Sequence, residues 1–523
     1  MDRRAVYGPR DGTVLSQQSQ HRSDEILDGD IDEVLQAKRA DGKFWRNLRE
    51  QDLPIRVQQI LHQIGFYGVY RCGRIQYDCH LVTALVERWR SETHFFHFRV
   101  GEATITLQDV QVIWGLPIDS EPVSGTDLER TSVQWQEYCM QYIGFAPEEG
   151  ALKGSRLQVK AIIHHISRVH IITPDTPHLT VVQYARAVVL LLLGGTMCPD
   201  SSGNLRKGKA AIGGALQLVH IWAWSRIIPL CPGLGAPRVH MGPHQIDNNR
   251  VLPGAPYGAM WNCEHTFTRT VRTTVRVIRD ILDEMQYDQP YDMESNVIMA
   301  YAGDFNPQLW RSICPLIFYA IVEMHHPERV LRQFGMMQNI PDQLDTRDMS
   351  LHKITRSNRT GTDWVLQHIL YITRWQRRYD TVIQRQPISN RRDTDRGYWE
   401  WYNNITRHFV SSSTNRRVEN GYQPGDAPVL QIVTQQVNTL QTLFQSKPVD
   451  VEGQRRSSSQ MSIGSVERGD IGVDIAGPST AYMHQDYYVP QPPQDYYVPQ
   501  PSQDDWFQST SYMPSHAEAY SSH

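Results

Sequence analysis

Glu323, His325 and His326 stand within four positions of one another, and a carboxylate beside two imidazoles is a donor set that zinc accepts. The run lacks the second histidine one turn away that H-E-x-x-H supplies, so Glu323 and His326 form at most a pair on one helix face. Pro327 follows at once and breaks such a helix, which favours a capping or surface role. Cys72, Cys79 and His80, with His94 and His97 downstream, are a second group of soft ligands. Zinc sites use tighter pairs, such as two cysteines separated by two to four residues, so Cys79 and His80 are expected on a packed helix instead. His164-His165 reads as core or surface. Gly194-Gly195, with Cys198 and Asp200 behind it, imitates a phosphate loop. It closes a helix rather than opening one, and the dipole there repels an anion. The chain has no G-x-x-x-x-G-K-[ST] loop, no G-x-S-x-G elbow and no H-E-x-x-H. No lysine stands in a context that supports a Schiff base. The expectation is a protein without catalytic residues, metal or cofactor.

One basic segment could contact nucleic acid. Arg356, Arg359, Arg374, Arg377, Arg378, Arg385, Arg391, Arg392 and Arg396 interleave with Trp364, Trp375, Tyr379 and Trp399. Arginines beside aromatics suit phosphate contact combined with base stacking. Trp375 and Tyr379 also fall on an apolar stripe, and Asp380, Asp393 and Asp395 dilute the charge. A solvated helix face is therefore the favoured reading. Nucleic-acid contact through Arg374, Arg377, Arg378, Arg385, Arg391 and Arg392 is the alternative.

These side chains need a large helical frame. The 523 residues are 40% hydrophobic and 21% charged, enough for a sizeable core. A mean hydropathy of −0.48 points to a part that does not pack. Net charge is −4, so any basic surface is local. The seven cysteines are scattered and odd in number, which argues against a disulfide framework and for a reducing compartment. The N-terminus lacks the apolar stretch of a secretory signal. Ala210–Pro229 has the length of a bilayer span but carries Gln217, His220 and Arg226, so it reads as a buried helix. No membrane contact is expected.

Residues 1–50 read as mostly disordered, with a short helix at Ile31–Lys38. Helical spacing of apolar residues marks Pro54–Ile64, Asp78–Trp89, Gln158–His170, Val181–Leu193, Ile212–Ile228, Val271–Met285, Gln308–Met324 and Asp363–Arg385. Asp78 is placed to cap its helix, and Thr106 with Asp109 makes a capping box. Phe95–Val100 and Ala103–Thr106 read as a small β-hairpin around Gly101-Glu102. A short helix follows Pro327 and stops at Gly335. Asp426–Phe444 carries a seam of Leu430, Val433, Val437, Leu440 and Phe444, about two heptads long. From residue 446 onward Ser, Gln, Pro and Tyr dominate, and QDYYVPQPP is repeated as QDYYVPQPS. The expected architecture is mainly α: one domain over 51–412, an amphipathic helix at 426–445, and a disordered tail over 446–523.

Longer blocks resemble one family. Asp78–Gly125 is similar to the opening of the plant mobile domain, also called the aminotransferase-like plant mobile domain, which defines the MAIN-like proteins. Ala211–Pro229 resembles its central apolar helix with the Trp-Ala-Trp step. His326–Pro341, Thr360–Arg378 and Gly397–Val410 resemble later blocks in the same order. The resemblance implies nuclear proteins linked to meristem maintenance, genome stability and the silencing of transposable elements, with protein partners in the nucleus. Some relatives carry a fused phosphatase and bear the name serine/threonine-protein phosphatase 7 long form homolog. The metal-binding blocks G-D-x-H-G, G-D-x-x-D-R-G and G-N-H-E are missing here, and Gly303-Asp304-Phe305-Asn306 matches only two letters. After Cys198–Asn204 the family pattern continues through several helical turns, whereas here Leu205–Lys209 runs almost directly into the Ala211 helix. Loss of a core helix is expected to expose apolar faces of its neighbours.

Overall fold

A computed structural model describes residues 7–28, 31–37, 42, 44–46, 52–153, 156–168, 172–198, 211–247, 250–267, 274–291, 295–301, 306–343, 351, 354, 361–390, 392–412 and 495–497. The chain divides into two units, 1–427 with 495–523, and 428–494; every described residue belongs to the first. The seam at 426–444, Arg356, Arg359 and Arg391 lie outside the described residues.

The N-terminal segment corrects the expectation of disorder. Tyr7, Leu15, Ile26, Leu35, Phe44 and Trp45 are all buried. A short helix, α1, spans Arg22–Asp28. Residues 31–37 are extended rather than helical: β1, Gln36–Ala37, pairs in parallel with a later strand at Ala211–Ile212. One apolar anchor every ten residues or so is too sparse for composition to register, yet each one inserts into a core that the rest of the chain builds.

The core proper begins at α2, Ile55–Gln63, and α3, Tyr67–Cys72. Next, α4 covers Cys79–Val86, where the Asp78 carboxylate accepts from the amides of His80 and Leu81. The expected hairpin is the larger part of a three-stranded sheet: β2, Trp89–Arg90; β3, Phe95–Phe98; β4, Gly101–Ala103. The helix before it is shorter than its apolar stripe, because Trp89 joins the sheet. At α5, Leu107–Trp114, the capping box forms as the spacing requires, and Gly115 closes the helix at φ 65°. Gly68 lets α3 lie against its end, since a Cβ there would stand 2.0 Å from the Trp114 carbonyl oxygen.

Helix α6, Ser132–Ile143, precedes a β5–β6 hairpin, Leu152–Lys153 with Arg156–Gln158, and α7, Val159–Arg168. Helix α8, His178–Leu191, runs on through a π-helical turn to Met197. By length and composition His178–Met197 could cross a membrane, but most of it is buried inside the fold. After β7, Ala211–Ile212, comes the central helix α9, Leu216–Arg226, which is buried on every side. On α8 and α9 Ala187, Val188, Val189, Leu218, Ile221 and Trp222 are covered, while Leu179 at the start of α8 is 61% exposed.

Short strands β8, Gly233–Leu234, β9, His244–Asp247, β10, Arg250–Leu252, and β11, His265–Thr266, form two small ribbons. Helices α10, Thr274–Asp283, and α11, Ser295–Tyr301, follow. The expected helix at Gln308–Met324 is a hairpin instead, β12, Cys314–Phe318, and β13, Ile321–His325, turning at Tyr319-Ala320. Pro315 is the signal that opposed a helix there, because a mid-helix proline removes a donor and clashes with the preceding turn. Tyr319 takes φ 49° and packs with Ala320 and Trp364.

The long helix expected at Asp363–Arg385 is broken into α12, Trp364–Gln367, and α13, Ile369–Gln376, followed by a 3-10 turn at Arg378–Thr381. His368 makes the break: its ring stacks on Trp364 and its Nε2 meets the Ala320 carbonyl at 3.3 Å. Helix α14, Tyr398–Ile405, closes the domain. In the tail, Asp495–Tyr497 forms β14, antiparallel on β6, so this triplet of the second repeat departs from the disordered reading. The open edge of β6 offers backbone donors and acceptors, and paired tyrosines favour the extended state.

Candidate functional site

Among the described residues, the groupings singled out above do not come together as a metal site. Glu323 and His326 do not share a helix face, because β13 replaces that helix. Glu323 meets His94 Nδ1 at 3.2 Å, and His326 Nδ1 meets Glu328 at 2.7 Å. His325 is buried; the Leu107 amide donates to its Nε2 at 3.4 Å and its Nδ1–H donates to the Ser312 carbonyl at 2.8 Å. Burial pushes its pKa down to about 4. Cys72 donates its thiol to the Ile113 carbonyl, and burial raises its pKa. His80 lies beside its own cap residue Asp78, while His165 stacks on Phe145 at 4.3 Å. Gly195 and Thr196 are buried in the π-helical turn, with the Trp45 indole donating to Thr196. Among the described residues, no three His, Cys, Asp or Glu side chains converge in a way that could hold a metal.

What does converge is a set of ion pairs inside the core. The Arg279 guanidinium grips Glu87 through two bonds of 2.7 Å, and Arg22 approaches the same carboxylate at 3.5 Å. Arg88 pairs with Asp283, whose carboxylate also accepts from the amides of Val410 and Ser411. Glu102 lies between His97, at 3.0 Å, and Arg329, at 2.5 Å. Burial alone raises the Glu102 carboxyl, but Arg329 and His97 outweigh it and hold the pKa at about 2. On α9, Arg226 binds Asp109 at 2.6 and 2.9 Å, so Asp109 serves both the capping box and the pair. Gln217 accepts from the Trp114 indole and donates to the Gly73 carbonyl, and His220 accepts from the Asp78 amide. Each polar residue that told against a bilayer span thus has an internal partner. Apart from His97–Glu102, which face each other across one hairpin, these pairs join segments far apart in sequence, which is why no local motif announced them.

The described arginines of the segment sit in four different settings. Arg374 and Arg377 project from the exposed end of α13, where Arg377 pairs with Asp380 at 3.0 Å. Arg378 folds back, its guanidinium over Trp375 and bonded to the Asp119 carbonyl. Trp375 is buried as the stripe implies, whereas Tyr379 is exposed. Arg385 is not on a helix. It lies on an extended stretch in which Met337 donates to the Gln386 carbonyl and Ile388 to that of Gly335. There Arg385, Met337, Gln384, Gln386, Pro387 and Asp395 line an open depression of about 580 Å³. Arg392 stacks over Tyr287 at 4.3 Å, and its carbonyl accepts from the Trp399 indole.

One exposed apolar surface, centred on Leu366 and Leu370, lies outside the residues singled out by sequence pattern. The α12–α13 helices bury Trp364, His368 and Trp375, which rotates Val365, Leu366, Ile369 and Leu370 outward. Leu366 and Leu370 are 71% and 75% exposed. Their four-residue spacing, off the aromatic line, was the available signal.

The comparisons with known proteins agree with this frame. The plant mobile domain family matches residues 65–209 and 204–403, and the two stretches meet where the expected helical turns are missing. The serine/threonine-protein phosphatase 7 long form homolog of Arabidopsis thaliana is 31% identical over 453 residues, covering 78% of this chain and 32% of that protein. Protein MAIN-LIKE 2 of the same plant is 25% identical, covering 80% of this chain and 65% of its own length. Protein MAINTENANCE OF MERISTEMS is 24% identical, covering 75% and 82%. The chain thus spans about a third of the first relative and just under two thirds of the second. No solved structure matches. On the strength of two collinear stretches that together cover most of the folded core, the chain belongs to the plant mobile domain family.

Proposed function

We propose that this protein is a non-enzymatic nuclear factor that acts through protein contacts in meristem maintenance, silencing of transposable elements and transcript regulation. The observation that carries the reading is the fate of the ionisable groups. Glu87, Glu102, Asp109 and Asp283 each lie in the core against an arginine, an arrangement that ties elements together rather than serving a substrate. The name of the relative MAINTENANCE OF MERISTEMS supports the developmental part. The phosphatase name belongs to a protein three times as long as the matched stretch, and the metal-binding blocks are missing from this chain. The test is loss of the gene combined with proximity labelling of the tagged full-length chain. Raised transposon transcripts and a set of labelled nuclear proteins are expected. Unchanged transcripts and no nuclear partner would contradict the reading.

A second reading is direct nucleic-acid binding by a domesticated transposon-derived protein, favoured by the exposure of Arg374, Arg377, Arg385 and Arg392. It requires affinity that falls steeply with salt. Charge reversal at Arg377 and Arg385, neither of which is buried, should then weaken binding; unchanged affinity counts against it.

A further inference from the structure

The α12–α13 ridge is apolar along its outer line and polarised at its ends. Leu366 and Leu370 project fully, Val365 and Ile369 are 38% and 48% exposed, and Arg374 and Arg377 follow toward the C-terminal end. Asp363 caps the N-terminal end, its Oδ1 accepting from the amides of Val365 and Leu366. Val123 is bridged to Phe318 and Thr126 to Asp363, so exposed Val123, Leu128 and Phe318 border the start of the ridge. A contiguous apolar surface rimmed by charges marks an association site.

We propose that this ridge is the interface of a symmetric homodimer, with the α12–α13 helices of two copies packed antiparallel about Leu370. Charge complementarity along the ridge sets this orientation. In that register Leu370 faces its own counterpart, Leu366 lies under the aliphatic stem of the other copy's Arg374, and Asp363 faces the other copy's Arg377. Acid meets base at both ends, whereas a parallel arrangement sets like against like. Asp363 keeps one oxygen for an incoming guanidinium. Arg377 gives up only an exposed pair with Asp380, both side chains being more than half exposed, and such pairs contribute little. The inference is independent of the nuclear role proposed above.

The test uses the full-length chain in light scattering and analytical ultracentrifugation. A dimer mass is expected at micromolar concentration, falling to half in the double variant Leu366→Glu/Leu370→Glu with an unchanged far-UV spectrum. Cysteine scanning guards against misfolding of that variant. Under mild oxidation Leu370→Cys should cross-link to itself, because it lies on the axis, while Leu366→Cys should cross-link no more than the wild type. A monomer at every concentration overturns the proposal, as does a dimer indifferent to the double substitution. Equal cross-linking from both positions overturns it too, and so does a ridge occupied only by a different protein.

Discussion

Glu102 is buried between the Arg329 guanidinium and the His97 ring, and because burial lowers the His97 pKa, Arg329 is the cation that holds its charge. Replacing Glu102 by Gln leaves Arg329 buried beside a weak partner, and loss of one member of such a pair costs about 3–5 kcal/mol. Urea denaturation of Glu102→Gln should show that loss; a loss below about 1 kcal/mol would mean the pair is not where the stability lies. Histidine 325 makes the pH-dependent counterpart. Its folded pKa, about 4, lies below its ordinary value of 6.5. As pH falls from 6.5 the unfolded chain takes up this proton first, so stability drops between 6.5 and 4 and levels off below. The expected contribution is on the order of 3 kcal/mol. Glu102 runs over a lower window: its folded pKa is depressed, so its stabilisation is full above 4.5 and lost as pH falls toward 2. His325→Gln should be less stable than the wild type at pH 7 but should lose less on acidification to pH 4. Parallel pH profiles for the two proteins would contradict the assignment.

Among the described glycines, Gly68 is the one whose added Cβ would stand nearest another atom, where α3 meets the end of α5. A methyl group there meets a backbone carbonyl, which cannot swing aside as a side chain can. Gly68→Ala should therefore destabilise by about 1–3 kcal/mol, read as a shift in the denaturation midpoint; a neutral result would mean the two helices can part freely. The elements that were legible in the sequence are those with local punctuation. Asp78 and the Thr106–Asp109 box start their helices where the spacing says, and Gly115 and Gly335 stop theirs in the left-handed region. The hairpin at 314–325 was not legible by periodicity, since a short apolar run fits a buried helix or a strand equally well. The break at His368 was hidden for another reason: it depends on Trp364 and on a carbonyl 48 positions away. The apolar stripe along this segment misled because Trp364, His368 and Trp375 took the inner face, while Val365, Ile369 and Tyr379 are exposed.

For the whole molecule, the N-terminal segment is part of the domain and not an appendage. Tyr7, Leu15, Ile26, Leu35, Phe44 and Trp45 are buried, and Arg22 reaches Glu87. The His408 amide donates to the Tyr7 carbonyl, so the first and last described parts of the domain meet. Burying six such side chains contributes on the order of 10 kcal/mol, comparable to the net stability of a whole domain. Deleting residues 1–46 should therefore leave a chain that fails to unfold cooperatively. A truncated protein with an unchanged denaturation midpoint would restore the disordered reading. The candidate site was less legible than the fold. Ion pairs such as Arg88–Asp283 and Arg279–Glu87 unite residues nearly two hundred positions apart, and sequence spacing carries no trace of them. The central claim is that the folded domain works by contact with other proteins and not by chemistry or by holding nucleic acid. It is tested most directly by recovering the tagged full-length protein from plant nuclei with and without exhaustive nuclease treatment. The same protein partners are expected in both samples. Partners that vanish with the nucleic acid would contradict it.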